Sequence, residues 1–158
     1  MEIIKHTIDS PIGMLKLVIS NNELVRVEFA DDYDDKTVSA THPVVSKITK
    51  DIRQYFSDPT HTFTVQINLK GTPFQLSVWK ALLAIPSGKT VTYGELAKKL
   101  KTGPRAIGQA CRTNPVPVII PCHRVVAANG NGGYAGATGG KLLDIKQYLI
   151  AHEKSAAR

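Results

Sequence analysis

Apolar and polar positions alternate along three short stretches at the start of the chain. Glu2 to Asp9 and Met14 to Ser20 read as strands joined by the turn Ser10-Pro11-Ile12-Gly13. Asn21-Asn22 turns into a third strand, Glu23 to Ala30, with Leu24, Val25, Val27 and Phe29 as its apolar positions. The acidic run Asp31-Asp32-Tyr33-Asp34-Asp35 reads as a solvated loop. The period then changes: from Pro43 to Ser57, Val44, Val45, Ile48, Ile52, Tyr55 and Phe56 recur at helical spacing. Phe63 to Leu69 alternates again, as a fourth strand or an extended connector. This half predicts a small antiparallel sheet carrying one helix, and it holds no cluster of reactive side chains.

Lys70-Gly71 marks the expected boundary between an N-terminal scaffold domain, residues 1–70, and a mainly helical domain, residues 71–158. Thr72-Pro73-Phe74-Gln75 supplies a capping threonine, proline at the first helical position and glutamine at the third. The helix it opens runs to about Ile85, with Phe74, Val78, Leu82 and Trp79 toward a core. Thr92-Tyr93-Gly94-Glu95 is a second capping box for a helix to about Leu100. Lys101-Thr102-Gly103 is a short turn, and Pro104 starts a helix ending near Thr113. Two short helices joined this way have the form of a helix-turn-helix. At 100° per residue Arg105, Gly108, Gln109 and Arg112 share one face, opposite Ala106, Ile107 and Ala110. Asn114-Pro115-Val116-Pro117 forms a stiff turn, and Ala127 to Gly140, with six glycines, a wing or pocket lid. A last helix, Leu142 to His152, turns Leu143, Ile145, Tyr148 and Leu149 inward. The fold class is α+β, its second half resembling a winged helix-turn-helix.

Charge separates the halves further. Residues 1–70 carry 8 Lys+Arg against 10 Asp+Glu, and residues 71–158 carry 12 against 3, within a net +7 for 158 residues. A basic half attached to a mildly acidic one points to a polyanion, with nucleic acid the favoured partner. No apolar run is long enough to span a membrane, and Met1-Glu2 leads straight into strand-like sequence without a leader. The two cysteines, Cys111 and Cys122, belong to no CxxC pair, which argues against a disulfide framework or a cysteine zinc site and suits the reducing cytoplasm.

The chemistry concentrates in Ile119-Ile120-Pro121-Cys122-His123-Arg124-Val125. Proline stiffens the approach to a cysteine flanked by an imidazole and a guanidinium, and cationic neighbours favour the nucleophilic thiolate. A thiol nucleophile needs a base within reach and a third group to orient that base. His123 is the nearest base, with His152 its rival. The second half offers three carboxylates: Glu95, occupied as a cap, Asp144, facing solvent, and Glu153, left by elimination.

Pro121-Cys122-His123-Arg124-Val125, preceded by Asn114-Pro115-Val116-Pro117, closely resembles the O6-alkylguanine-DNA alkyltransferases, also called methylated-DNA–protein-cysteine methyltransferases. The resemblance runs from Thr72 through Trp79, Thr92-Tyr93 and Arg105-Ala106-Ile107-Gly108 to His152-Glu153. It implies a single-turnover repair protein without metal or cofactor, monomeric, which binds the minor groove of double-stranded DNA and flips an alkylated guanine into a pocket. It implies that Cys122 takes the alkyl group for good, that His123 acts through water as base oriented by Glu153, and that Asn114 braces the turn. Arg105 would fill the space of the flipped base, and Tyr93 would rotate the phosphate and contact the guanine. Gly108, Gln109, Arg112 and Cys111 would lie along the DNA, while Pro117, the carbonyl of Val125, Tyr134 and Ala135 would line the pocket. O4-alkylthymine is a second candidate substrate.

Three features depart from the family pattern. After Gly133-Tyr134-Ala135-Gly136 the usual Gly-Gly-aliphatic run is replaced by Ala137-Thr138-Gly139-Gly140. Cys111 stands where some relatives carry a larger apolar side chain, either as a second reactive thiol or as buried filler. The first half has no cysteine for the zinc that some relatives bind there. A non-catalytic lesion-sensing protein is the rival reading; the presence of Cys122 argues against it. A cysteine hydrolase would leave the basic helix-turn-helix unexplained.

Overall fold

The computed structural model describes residues 3–31, 42–130, 132–134 and 139–155. The chain divides into two compact units, Met1–Leu69 and Lys70–Arg158. No described helix is long and apolar enough to cross a membrane.

The first unit is a three-stranded antiparallel sheet, β1 (Ile3–Ser10), β2 (Gly13–Ser20) and β3 (Glu23–Ala30), in sequential order. The β2–β3 turn is Asn21-Asn22, and both asparagines have positive φ (52° and 64°), the geometry that matches strand twist in two-residue hairpins. Leu15, Leu17 and Ile19 alternate inward along β2, and Val45, Ile48, Ile52 and Tyr55 of α1 (Pro43–Ser57) supply the helical part of this unit's core. Phe63 to Leu69 is the connector, not a strand: it touches the sheet at a single bridge, Leu24 to Ile67. What holds it is a buried carboxylate that the sequence pattern did not mark. Asp51 of α1 accepts from the backbone N–H groups of Thr64 and Val65, at 2.9 and 2.8 Å, and pairs with His61 Nε2 at 2.6 Å.

The second unit opens with α2 (Pro73–Leu83), whose capping box is complete: Gln75 N–H donates to Thr72 Oγ1 and Thr72 N–H donates to Gln75 Oε1. Val78, Trp79 and Leu82 are buried, and Trp79 Nε1 donates to the carbonyl of Ala110, so the indole is a core residue. Phe74 lies at the solvent side of the first turn instead of in the core. Next come β4 (Val91–Thr92), α3 (Tyr93–Lys99) and α4 (Pro104–Arg112), the helix-turn-helix arrangement. Only the threonine half of the second box forms: Thr92 Oγ1 accepts from Glu95 N–H, while the Glu95 side chain is exposed. A 3-10 turn at Cys122–Arg124 leads into β5 (Val125–Val126), which pairs in parallel with β4. The chain closes on α5 (Lys141–Lys154).

The inward stripe of α5 is rotated from the expected one. Ile145, Lys146, Leu149, Ile150 and Glu153 are buried, whereas Tyr148 is exposed and stacks on His152. An apolar count alone misplaces this face, because two of its buried members carry charge. Ala135 and the Ala137-Thr138 departure lie outside the described residues, as does most of the acidic run.

Candidate active site

The segment from Asn114 to Val125 is fixed by its own polar groups. Asn114 Nδ2 donates to the carbonyl of Ile120 (2.8 Å), and Asn114 Oδ1 accepts from Val116 N–H (3.0 Å). Between these contacts Val118, a buried β-branched residue, holds a φ of +78°, a left-handed conformation that such residues rarely adopt. Pro117 is buried beside it. The loop thus reaches Cys122 by a path that its proline and asparagine enforce.

Cys122 is buried, at 4 % exposure. Burial raises its thiol above the ordinary value, and the bond from Asn114 and the ammonium of Lys146 work in the opposite direction. This corrects the expectation that the adjacent His123 and Arg124 create a thiolate: burial dominates, and the helping cation comes from α5. Arg124 is engaged elsewhere, as a fork on Glu153.

His123 is fully buried, and its Nε2 meets Glu153 Oε2 at 2.7 Å. Burial lowers its pKa despite the carboxylate's opposite pull, so the imidazole rests neutral. Among the described residues its Nδ1 is buried without a hydrogen-bond partner, and a neutral imidazole can accept a proton there. The geometry selects Glu153 from the three carboxylates, and neither Glu95 nor Asp144, both exposed, reaches the histidine. His152 stacks on Tyr148, and His123 is a histidine bonded to Glu153.

Sequence reasoning misjudged the partner of Arg124 and missed Lys146. Arg124 donates through Nε to Glu153 Oε1 (2.8 Å) and through Nη2 to Glu153 Oε2 (3.0 Å), and its Nη1 reaches the carbonyl of Ile85. Lys146 is fully buried and donates to the carbonyls of Val125 (2.7 Å) and Gly133 (2.8 Å), tying the start of β5 to the glycine-rich loop. Desolvation lowers its pKa to about 8. A helical wheel carries the missed signal, since Lys146 and Glu153 are seven apart and share the face of Leu149 and Ile150.

Tyr93 begins α3, and its hydroxyl donates to Gly133 at 3.4 Å, with its ring 5.7 Å from Lys146 Nζ. Burial and the two thiols raise its pKa to about 12. A Cβ at Gly132 would come within 2.9 Å of the Tyr93 ring, so only glycine lets the loop lie against it. Tyr134 is buried in the same loop, and Val125, also buried, directs its carbonyl at Lys146.

On α4, Arg105, Gln109 and Arg112 are exposed, and a Cβ at Gly108 would meet nothing within 4 Å. Gly108 therefore leaves an open place on a basic face. Cys111 does not join that face. It follows Ile107 by one turn and is buried with it, and desolvation raises its pKa to about 12. Among the described residues no group of three His, Cys, Asp or Glu side chains is placed to hold a metal ion.

Comparison with known proteins gives the family. The family model for the 6-O-methylguanine DNA methyltransferase DNA-binding domain matches residues 73–155. A methylated-DNA–protein-cysteine methyltransferase of Methanosarcina mazei is 39% identical over 158 residues, covering 95% of this chain and 96% of its own. The chain belongs to the methylated-DNA–protein-cysteine methyltransferase family. A Mycobacterium tuberculosis member is 37% identical over 157 residues, covering 96% of this chain and 92% of its own. Among solved structures, the Mycobacterium tuberculosis O6-methylguanine methyltransferase superposes with a TM-score of 0.80 at 35% identity, covering 99% and 96% of the two chains. The same organism's OGT in complex with DNA gives 0.78 at 37% identity, covering 96% and 92%. The α+β fold is thus that of the methyltransferases along nearly the whole chain.

Proposed function

We propose that this methyltransferase repairs double-stranded DNA by moving the alkyl group of O6-alkylguanine onto Cys122, once per molecule, as a monomer in the cytoplasm. The observation that supports the reading is the buried His123–Glu153 bond directly after the buried Cys122, with His123 Nδ1 unpartnered among the described residues. Lys70–Arg158 is then the DNA-binding and alkyl-acceptor domain, and Met1–Leu69 its scaffold.

The thiol proton leaves through water to His123 Nδ1 while Glu153 holds the imidazole and stabilises its charge. Sulfur attacks the alkyl carbon, the carbon–O6 bond breaks, and the departing base becomes guanine by taking up, through water, the proton that the thiol gave to His123. Asn114 and Lys146 favour the sulfur anion as it forms. The thioether has no leaving group that water displaces, so the thiol does not return. A base in the duplex cannot reach a buried sulfur, which makes base flipping part of the reading. Arg105 on the exposed face of α4 would enter the vacated stack, with Gly108, Gln109 and Arg112 along the backbone. Tyr93, Pro117, Val125, Tyr134 and Ala135 would enclose the flipped guanine.

Mass spectrometry after incubation with a duplex carrying one O6-methylguanine tests this. A single methyl group on Cys122, saturating at one per protein with guanine restored in the DNA, is expected. Tight DNA binding by reduced protein without an adduct would replace this reading with lesion sensing, and a duplex with O4-methylthymine tests the second substrate.

A further inference from the structure

Arg124 makes two separate bonds to one carboxylate, and that carboxylate is the one on the histidine. Both Glu153 oxygens are occupied: Oε1 by Arg124 Nε, and Oε2 by both Arg124 Nη2 and His123 Nε2. Glu153 is 3 % exposed and His123 0 %. A charge count in such a dry site fixes what the arginine does. With Arg124 present, a charged Glu153 and a neutral His123 add to zero, and one further proton on the pair leaves an unbalanced positive charge. Without it the pair itself is negative, so a proton on His123 meets one positive charge fewer, Lys146 alone remaining. Low-dielectric surroundings penalise whichever state is unbalanced.

We infer that Arg124 is a positioning residue for alkyl transfer: its fork on Glu153 keeps the His123–Glu153 pair in the proton-accepting form. This rests on the proposed role of His123 as the base that receives the thiol proton. The other groups facing the pair add to the same effect. From α5 comes the Lys146 ammonium, a second positive charge that opposes a proton on His123. The 3-10 turn contributes Cys122, protonated at rest. The Ile85 carbonyl comes from the turn after α2, and Lys80, the one charged residue of that helix, is exposed. Because Arg124 also ties this carbonyl to the site, a loss of activity on substitution would not separate support of the fold from control of the proton. The pH dependence separates them.

Three proteins are compared: wild type, Arg124→Gln, which still donates hydrogen bonds but has no charge, and Arg124→Lys, which keeps the charge without the fork. Single-turnover benzyl transfer from free O6-benzylguanine is followed by intact mass across the pH range, and the His123 imidazole is titrated by NMR. In Arg124→Gln the acid limb of the rate profile and the imidazole titration are expected to move up together by about one pH unit or more. The deficit is then largest in neutral solution and closes on the alkaline side. Arg124→Lys is expected to keep the wild-type midpoint with a rate loss that is the same at every pH. A profile in Arg124→Gln that is lowered but not shifted, with an unmoved imidazole titration, overturns the inference and leaves Arg124 a structural tie. If Arg124→Gln does not fold, a shifted midpoint in Arg124→Lys overturns it and an unshifted one supports it. No transfer by wild type at any pH would instead sink the alkyl-transfer reading, while the NMR titration would still decide what Arg124 does.

Discussion

Asn114→Asp is the most discriminating substitution in the site, because it keeps the side chain's shape while adding a charge and removing the donor to the Ile120 carbonyl. The wild-type amide gives one hydrogen to the Ile120 carbonyl at 2.8 Å and interacts with Cys122 so as to favour the thiolate, while its oxygen receives Val116 N–H at 3.0 Å. The substitution retains the shape and the acceptor, and replaces the donor with a carboxylate oxygen beside the nascent sulfur anion. Two unit charges about 4 Å apart repel by about 4 kcal/mol at an effective dielectric of about 20, but by only about 1 kcal/mol in bulk water. The 4 % exposure of Cys122 selects the larger figure. At 1.36 kcal/mol per unit that corresponds to a thiol pKa raised by about three units, or a thiolate population about 1000-fold lower.

Benzyl transfer from free O6-benzylguanine, read as protein mass against time between pH 7 and 10, reports this without involving DNA. The rate of Asn114→Asp is expected to fall about 100- to 1000-fold at pH 8 and to climb about tenfold per pH unit. Asn114→Ala removes the same donor without adding charge. It should lose less rate, and about 1–3 kcal/mol of stability from the Ile120 and Val116 groups left unpaired. A profile for Asn114→Asp that overlays wild type, or a rate for Asn114→Ala below it, would refute the reasoning.

Three further outcomes follow from the same geometry. Lys146→Met strips the donors from the buried carbonyls of Val125 and Gly133, and urea unfolding should show a loss of about 2–4 kcal/mol; an unchanged midpoint refutes the bridge. The folded chain holds the Cys111 proton to about pH 12 while an unfolded thiol releases it near 9.0, so folded protein binds more protons in that window and stability falls as pH rises through it. The stability difference between wild type and Cys111→Ala, from urea midpoints at several pH values, should therefore shrink from pH 9 upward, and a constant difference would contradict the burial of Cys111. Arg105→Ala should keep most reactivity toward free O6-benzylguanine and lose rate on duplex DNA, whereas equal losses on both would remove Arg105 from base flipping.

What the sequence made legible followed physical periodicity. Strand alternation placed β1 to β3, and 3.6-residue spacing placed α1 and the buried side of α4, because in those elements most buried positions are apolar, with His6, Thr7, Thr49 and Asp51 the exceptions. Legibility failed where they part. Lys146 and Glu153 lie on the buried stripe of α5, so counting apolar residues turned Tyr148 inward and left Lys146 out of the site. Arg124 was read as a neighbour of the thiol because it is two residues away in sequence, yet a 3-10 turn points it at a carboxylate 29 residues on. Asp51 escaped for the same reason, its partners being backbone groups 13 and 14 residues distant. Long-range hydrogen bonds to backbone leave no period in a sequence.

On the proposed mechanism, the resting protonation state suits a reagent that is used only once. A thiol kept protonated by burial is a poor nucleophile toward the small electrophiles that reach any cell protein. The neutral His123 beside it is a base waiting for a proton, and Asn114 and Lys146 are placed to stabilise an anion that burial otherwise disfavours. On that mechanism reactivity depends on a step that aligns an alkyl carbon with the sulfur while His123 removes the proton, and a base bound in the pocket would provide that alignment. Lowering the thiol pKa outright would speed the wanted transfer and the unwanted ones alike. On the proposed mechanism, a high resting pKa with stabilising donors already in place discriminates between them, because the donors act most strongly on the charge that develops during transfer.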